Sequence, residues 1–343
     1  MQLDLLTFVL TGQCNFACLY CRQSHRDKNM APAVLDGAID FFAPRLNPGA
    51  MVNFTGGEPL LAFPLLEKAV SRLEGRSLTF GLATNGSLLT AEMADFLDHH
   101  RFSVLLSWDG TLQSAQRGAA NRVASAARLL SRRSGIQLET NTVVTPESVH
   151  HLDTALRHIS DAGITAMHVT PDRSTVWPPA AVAELGRQLE LSGGHRNGQP
   201  RKSNGPPLPL VSLPEAPPHS PMDCTAGMDR LAVSPRGEVW GCHRFIDYFD
   251  SGDEHVLRNR YSFGGLEEFV TGFPETYHRR LRAYRTLQPR FYRNEKGLCL
   301  DCPDSLTCGV CPVPFGPGVV GVIPASACRV QALMRQFTRP SCD

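Results

Sequence analysis

The sequence predicts a parallel α/β fold, barrel-like or open, and three observations carry that reading. Six strand-like apolar runs alternate with helix-like segments between residues 5 and 191. Polar or glycine-rich turns close those strands at their C-terminal ends, where such folds bind ligands. A hydrophobic fraction of 42% over 343 residues is enough for one large domain or two smaller ones around a substantial core.

The first strand is Leu5–Leu10, a short apolar run ending in Thr11-Gly12. A helix from Ala31 to Leu46 follows, with Pro32 in its first turn, where a missing N–H costs nothing. Met51–Thr55 is the second strand and leads at once into Gly56-Gly57-Glu58-Pro59. A helix from Leu60 to Leu73 carries apolar residues at helical spacing. Leu78–Ala83 is a strand ending at Thr84-Asn85-Gly86, and Thr90 caps a helix through Asp98 with Met93, Phe96 and Leu97 on one face. Phe102–Leu106 is a strand ending at Ser107-Trp108-Asp109-Gly110, followed by a longer helix over Ala115–Ser131. Ile136–Val144 and Ala166–Thr170 are the last two strands, with helices Pro146–Ala162 and Ala180–Leu191 after them.

The alternation stops between Ser192 and Pro221, where eight prolines and several glycines read as a linker. The expected division is therefore a core over 1–191, a linker over 192–222 and a second unit over 223–343. That second unit carries eight of the eleven cysteines and few convincing helices, at Leu266–Thr271, Thr276–Leu287 and Ala325–Phe337.

Composition excludes several classes. A formal net charge of +1 gives no electrostatic footing for nucleic acid or an anionic membrane. Met1–Leu10 has no basic head and carries Asp4 inside its apolar stretch, which makes a poor secretory signal. No apolar run approaches the ~18 residues that span a bilayer. The expectation is a cytoplasmic protein whose clustered thiols are available for metal rather than disulfides.

The central motif is Cys14-Asn-Phe-Ala-Cys18-Leu-Tyr20-Cys21. Thiolates are soft ligands that suit zinc or iron–sulfur iron. Three on one loop can hold three corners of a cubane cluster and leave its fourth iron open. Zinc in a closed site would want a fourth ligand, which His25 lies near enough to supply. Gly56-Gly57-Glu58 exposes backbone at a strand end and sets a carboxylate beside it, suiting an ammonium group; a tight turn with a solvent-facing Glu is the plainer reading. Asn85 and Asn141 are ligand contacts or turn residues, and Ser107 and Asp109 bind ribose hydroxyls or cap the next segment.

Together these residues carry a family resemblance. The three-cysteine loop with Tyr20 before its last Cys, the Gly-Gly-Glu-Pro after the second strand and the Ser-x-Asp-Gly after the fourth resemble the radical S-adenosylmethionine enzymes over roughly residues 4–190. The resemblance implies a partial (βα)6 barrel. It implies that Cys14, Cys18 and Cys21 bind a 4Fe-4S cluster whose open iron takes the amino and carboxylate groups of S-adenosylmethionine. Gly56, Gly57 and Glu58 would meet the methionine ammonium, Ser107 and Asp109 the ribose and carboxylate end, Tyr20 the adenine, and Asn85 and Asn141 other parts of the cofactor.

In the second half, Cys224, Gly237 and Cys242, then Cys299-x2-Cys302-x5-Cys308-x2-Cys311 and Cys328, resemble the SPASM extension of peptide-modifying radical enzymes. That pattern ordinarily has three residues between the last two cysteines of its middle run, and here there are two. By resemblance Cys299, Cys302, Cys308 and Cys328 hold one auxiliary 4Fe-4S cluster, and Cys224, Cys242 and Cys311 hold another. The second set lacks a fourth cysteine, leaving an open iron or a ligand such as His219, Asp223 or Cys342. Structural zinc is the alternative for the whole array. His243 stands directly after Cys242, where sulfatase-maturing relatives carry an Asp base, and is a candidate base or a packing residue.

The resemblance implies an enzyme that oxidises or cross-links side chains of a ribosomally made peptide or protein through thioether, C–C or C–O bonds. Oxidation of Ser or Cys to formylglycine is the runner-up, and a non-catalytic iron–sulfur or zinc scaffold is the reading of another class. A flavodoxin or ferredoxin would donate electrons. Because the chain begins at the first barrel strand, the substrate is expected to be recognised by a separate leader-binding protein or by the auxiliary unit.

Overall fold

The computed structural model describes residues 1–21, 23, 29–172, 175–193, 195–196, 208, 225–249, 255–284, 293–294, 297–301 and 322–338. The alternation read from sequence is realised as β1 (Leu3–Thr11), α1 (Pro32–Phe42), β2 (Leu46–Gly56), α2 (Phe63–Leu73), β3 (Thr79–Thr84), α3 (Ala91–His99), β4 (Ser103–Ser107), α4 (Gln113–Gln116), α5 (Ala120–Ser131), β5 (Gln137–Val144), α6 (Leu152–Asp161), β6 (Met167–Pro171) and α7 (Pro179–Leu191). Strands β1 to β6 pair in sequence order, all parallel, as a partial barrel.

Burial alternates along the strands. On β4, on β6 and on β5 from Glu139 onward every second residue is buried and its neighbours are half-exposed. The buried set faces the helices. Phe8, Phe54, Phe80 and Phe102 stack beneath β1–β4, with ring centroids 6.1 Å apart for Phe8–Phe54 and 5.5 Å for Phe80–Phe102. The half-exposed set lines the opposite, concave face with Asn53, Ser107, Glu139, Asn141, His168 and Thr170. One face of the sheet is thus dry and the other is left for a ligand.

Several boundaries differ from the expectation, each for a local reason. The first helix stops at Phe42 because Leu46 already pairs with Leu3, making β2 eleven residues long. The helix expected over Ala115–Ser131 is two helices, broken at Gly118 and Ala119, whose φ angles are +93° and +50°. The helix expected from Pro146 starts at Leu152, since Thr145 and Ser148 exchange side-chain-to-backbone bonds that compete with helix. Thr90 caps α3 as expected, accepting from the Met93 N–H at 3.2 Å.

Beyond β6 the chain returns to the same sheet. After the two-residue strand β7 (His195–Arg196) come β8 (Arg230–Val233), β9 (Glu238–Trp240) and β10 (Ser262–Gly265). β8 lies parallel to β1 on the side away from β2, and β9 and β10 continue antiparallel, giving the order β10-β9-β8-β1-β2-β3-β4-β5-β6. The described helices of this half are α8 (His243–Phe249), α9 (His255–Tyr261), α10 (Leu266–Thr271), α11 (Glu275–Tyr284) and α12 (Ala325–Met334). Phe41 of α1 meets Phe269 and Phe273 edge-on at 5.7 and 5.4 Å, so one core runs under both halves. Cys242, Cys299 and Cys328 all pack against it. The chain ahead of α12 contributes Leu208, whose N–H donates to the Ser192 carbonyl.

Phe54 stands at the centre of the ring stack, fully buried and in contact with Phe8, Phe80 and Phe102. Phe54→Ala removes that wedge and costs about 3–5 kcal/mol. Urea denaturation followed by tryptophan fluorescence will show the midpoint drop, while Leu61→Ala on the exposed surface leaves it in place.

Candidate active site

The cysteine loop leaves β1 at Thr11 and is held at both ends. At its start, the N–H groups of Gly57 and Glu58 donate to the carbonyls of Thr11 and Gln13 at 2.9 and 2.8 Å. The approach is so close that a Cβ on Gly56 would lie 2.4 Å from the Thr11 oxygen and one on Gly57 2.2 Å from that of Gln13. Both glycines are therefore required by the passage of the cysteine loop.

Glu58 is fully buried and works from inside. One carboxylate oxygen accepts from the Leu60 N–H at 3.1 Å and from the Thr84 hydroxyl at 2.6 Å; the other accepts from the Asn85 N–H at 2.7 Å. Burial pushes its carboxyl above the usual range, with these three donors opposing the rise. The sequence reading turned this carboxylate toward a ligand ammonium. Its protein partners tie the end of β2 to that of β3, because a buried carboxylate needs its donors at hand.

The loop's far end is fastened to β4. The Tyr20 hydroxyl donates to Asp109 Oδ2 at 2.6 Å, and the Leu19 N–H donates to the Gln116 carbonyl at 3.0 Å. Asp109 also accepts from Gln116 Nε2 and Arg117 Nε, each at 2.8 Å, and from the Val143 N–H at 2.9 Å. The Arg117 guanidinium lies 5.0 Å from the centre of the Tyr20 ring. Burial works against its charge, but Asp109 and Tyr20 outweigh that and keep it ionised. Burial also raises the Tyr20 phenol far above its usual value, so it remains a donor. Asp109 thus anchors the loop.

Cys14 and Cys18 lie between these anchors and Cys21 directly follows the second, none of them in a disulfide. The Phe16 N–H and the Asn85 amide point at Cys14 Sγ, 3.4 and 3.9 Å away. Burial raises the Cys14 and Cys18 thiols, and neighbouring thiols add to it, while Arg117 pulls Cys18 down. A bound iron cluster would favour the thiolate form against that burial. Among the described residues no three His, Cys, Asp or Glu side chains converge on one point as a single-ion site requires. A cubane takes each thiolate on a different iron and needs no such convergence. The alternative ligand His25 lies outside the described residues.

Around the loop, Asn15 and Asn85 bond each other at 3.0 Å, and Asn15 donates to Ser87. Ser107 and Asn141 are register partners on the concave face, and the Thr170 hydroxyl donates to Asn141 Oδ1 at 2.6 Å. The buried Gln116 Oε1 has no partner among the described residues, an acceptor beside the loop that a ligand donor would satisfy. The sequence reading missed Arg117, Gln116, Gln113 and Thr84, which carry no motif of their own. It also passed over Glu139, His168 and Thr170, whose two-residue spacing along β5 and β6 was the available signal.

Of the second-half ligands, Cys224, Cys302, Cys308 and Cys311 lie outside the described residues, as do His219, Asp223 and Cys342. Cys242, Cys299 and Cys328 are half-buried. Gly237 turns the β8–β9 hairpin at φ +79°, a local reason for that glycine. The Gly241 N–H donates to the Tyr284 hydroxyl at 2.8 Å, which fixes the backbone just before Cys242. His243 Nδ1 is 4.0 Å from Cys242 Sγ, and burial with Arg244 and Arg230 nearby pushes its pKa down to about 4. Among the described residues no helix is long and apolar enough to cross a membrane.

Comparison with known proteins agrees with this geometry. Residues 8–117 match the model of the Radical SAM superfamily. A tungsten-containing aldehyde ferredoxin oxidoreductase cofactor-modifying protein of Pyrococcus furiosus is 26% identical over 291 residues, covering 76% of this chain and 77% of that protein. The chain spans 60%, 47% and 28% of the length of three other curated relatives it matches. Native anSMEcpe with bound AdoMet and Kp18Cys peptide superposes with a TM-score of 0.71 at 18% identity, over 97% of this chain and 96% of that one. Streptococcus suis SuiB bound to S-adenosylmethionine gives 0.60 at 17% identity, over 93% and 77%. At these identities the superpositions establish the shared fold.

Two measurements check the anchors. Asp109→Asn leaves the buried Arg117 uncompensated and costs about 3–5 kcal/mol; iron bound per chain after anaerobic reconstitution falls with it, and Ser103→Ala leaves iron content unchanged. Glu58 holds a proton more firmly folded than unfolded, so its contribution to stability falls as pH rises from the ordinary carboxylate range through its raised folded value. Glu58→Gln flattens that slope in urea midpoints measured against pH.

Proposed function

We propose that this chain, whose residues 8–117 form a radical S-adenosylmethionine domain, is an enzyme that oxidises or cross-links side chains of a peptide. The observation that supports it best is the doubly anchored three-thiol loop at the mouth of a half-exposed polar sheet face. Cys14, Cys18 and Cys21 would hold a 4Fe-4S cluster, and Ser107, Asn141 and Gln116 Oε1 offer polar contacts to S-adenosylmethionine beside it. The bound pair supplies one-electron cleavage of the sulfonium and a 5′-deoxyadenosyl radical able to take hydrogen from unactivated carbon.

The chain's own part is placement. Glu58 and Asp109 fix the loop's two ends, so the cluster position follows the sheet. The dry helix side closes the base of the site, while the concave face receives the substrate. A peptide substrate is favoured by two solved relatives of the same fold, named as complexes with the Kp18Cys peptide and with the precursor peptide SuiA. Cys242, Cys299 and Cys328, packed on the shared core, would contribute to two auxiliary 4Fe-4S clusters together with Cys224, Cys302, Cys308 and Cys311. A flavodoxin or ferredoxin would reduce the enzyme in the cytoplasm, and a separate leader-binding protein would present the peptide.

Purified anaerobically and reduced with dithionite, the protein is expected to convert S-adenosylmethionine to 5′-deoxyadenosine, and the triple Cys14→Ala, Cys18→Ala, Cys21→Ala variant to form none. Mass spectrometry of the peptide should show a product two hydrogens lighter. Formylglycine as the sole product would favour the runner-up, and zinc without iron would favour a scaffold.

A further inference from the structure

The six parallel strands carry three titratable side chains, Asp4, Glu139 and His168. Asp4 sits at the exposed start of β1 and accepts from Asn47. The other two share the concave face and touch each other. His168 Nε2 lies 2.7 Å from Glu139 Oε2, with side-chain exposures of 28% and 43%. Register places Ser107, Asn141 and His168 side by side across β4, β5 and β6, with Glu139 one step further from the cysteine loop.

An exposed His–Glu pair contributes little to stability, so the fold gains little from placing it here. Its chemistry is another matter. A carboxylate on Nε2 selects the tautomer with hydrogen on Nε2 and leaves Nδ1 as an acceptor. Nδ1 makes no hydrogen bond among the described residues. Among the described residues the face therefore presents an oriented, unfilled proton acceptor in the row where the cofactor contacts are expected.

Resting on the function proposed above, we infer that His168 Nδ1 accepts the substrate's proton, with Glu139 as its positioning residue. Two-electron oxidation removes two hydrogens. One leaves carbon as an atom and joins the 5′-deoxyadenosyl radical, giving 5′-deoxyadenosine. The other leaves an O–H, S–H, N–H or adjacent C–H bond as a proton bound to His168. The remaining electron would pass to an oxidised iron–sulfur centre held by the chain's cysteines, as the substrate closes its new bond. The imidazolium so formed is stabilised by Glu139 across the 2.7 Å contact.

The test uses reconstituted holoenzyme, S-adenosylmethionine and a pool of short synthetic peptides, each with one central Ser, Thr, Cys, Tyr, Trp or Lys. Oxidised peptide and 5′-deoxyadenosine are counted together in single turnovers, and peptide retention is measured separately by affinity mass spectrometry. In His168→Gln the yield of oxidised peptide per 5′-deoxyadenosine should fall at least about tenfold, the scale of a lost general base, while the same peptides are retained. Glu139→Gln should lower the ratio less, and Glu139→Asp should restore part of it. Hydrogen abstraction uncoupled from product is a signature that loss of packing alone does not produce. An unchanged ratio in His168→Gln, or a parallel loss of peptide retention, overturns the assignment and leaves the proposed function standing. Wild-type holoenzyme that oxidises no peptide overturns that function and this assignment with it.

Discussion

One buried carboxylate decides where the reactive loop can be. Asp109 is fully buried and collects hydrogen bonds from the loop through Tyr20, from the next turn through Gln116 and Arg117, and from the neighbouring strand through the Val143 N–H. A carboxylate in that position cannot be left short of donors, because an unpaired buried charge costs several kcal/mol. Its four partners come from three parts of the chain, so none can move without leaving a defect. Gln116 closes α4 and Arg117 follows it, and the turn through Gly118, whose carbonyl accepts from Gln113 Nε2, ends that helix beside Asp109.

Glu58 answers Asp109 at the opposite end of the loop, by a different route. Asp109 reaches the loop through a side chain and a cation; Glu58 organises the backbone of its own strand end, whose amides then hold Thr11 and Gln13. The two attachments leave Cys14 to Cys18 spanning between fixed points. A cluster with three thiolates on three irons needs that kind of support, since each ligand must meet a different metal. Rigidity comes from strands and turns, which hold a site more closely than a free loop could.

How much of this was legible in the sequence depended on range. Cys14, Cys18 and Cys21 could be read because their spacing is local, and so could the alternation of strands, because each run carries its own period. Gly56 and Gly57 were read as ligand-facing; what no local spacing could show is that the carbonyls of Thr11 and Gln13 pass where a Cβ would sit. The bond from Tyr20 to Asp109 was invisible because 89 residues separate the two, and no spacing rule covers that distance. The return of β8 to the side of β1 was equally hidden. Parallel pairing of Leu5 with Arg230 leaves no turn between them to read.

That pairing also bears on how the two halves act together. β8 extends the sheet past β1, and the hairpin after it ends one residue short of Cys242, where Tyr284 takes the Gly241 N–H and donates in turn to the Tyr261 carbonyl. Cys242 is therefore positioned by the sheet that positions Cys14, through neighbouring strands with continuous hydrogen bonding. Phe41 and Phe42 press the helix after the cysteine loop onto Phe269 and Phe273 from the other side. A shift between halves would have to break the β1–β8 ladder and open that aromatic contact at once, and packed interiors do not deform by small continuous amounts. The relative placement of the thiols at the two strand ends is consequently a property of the core.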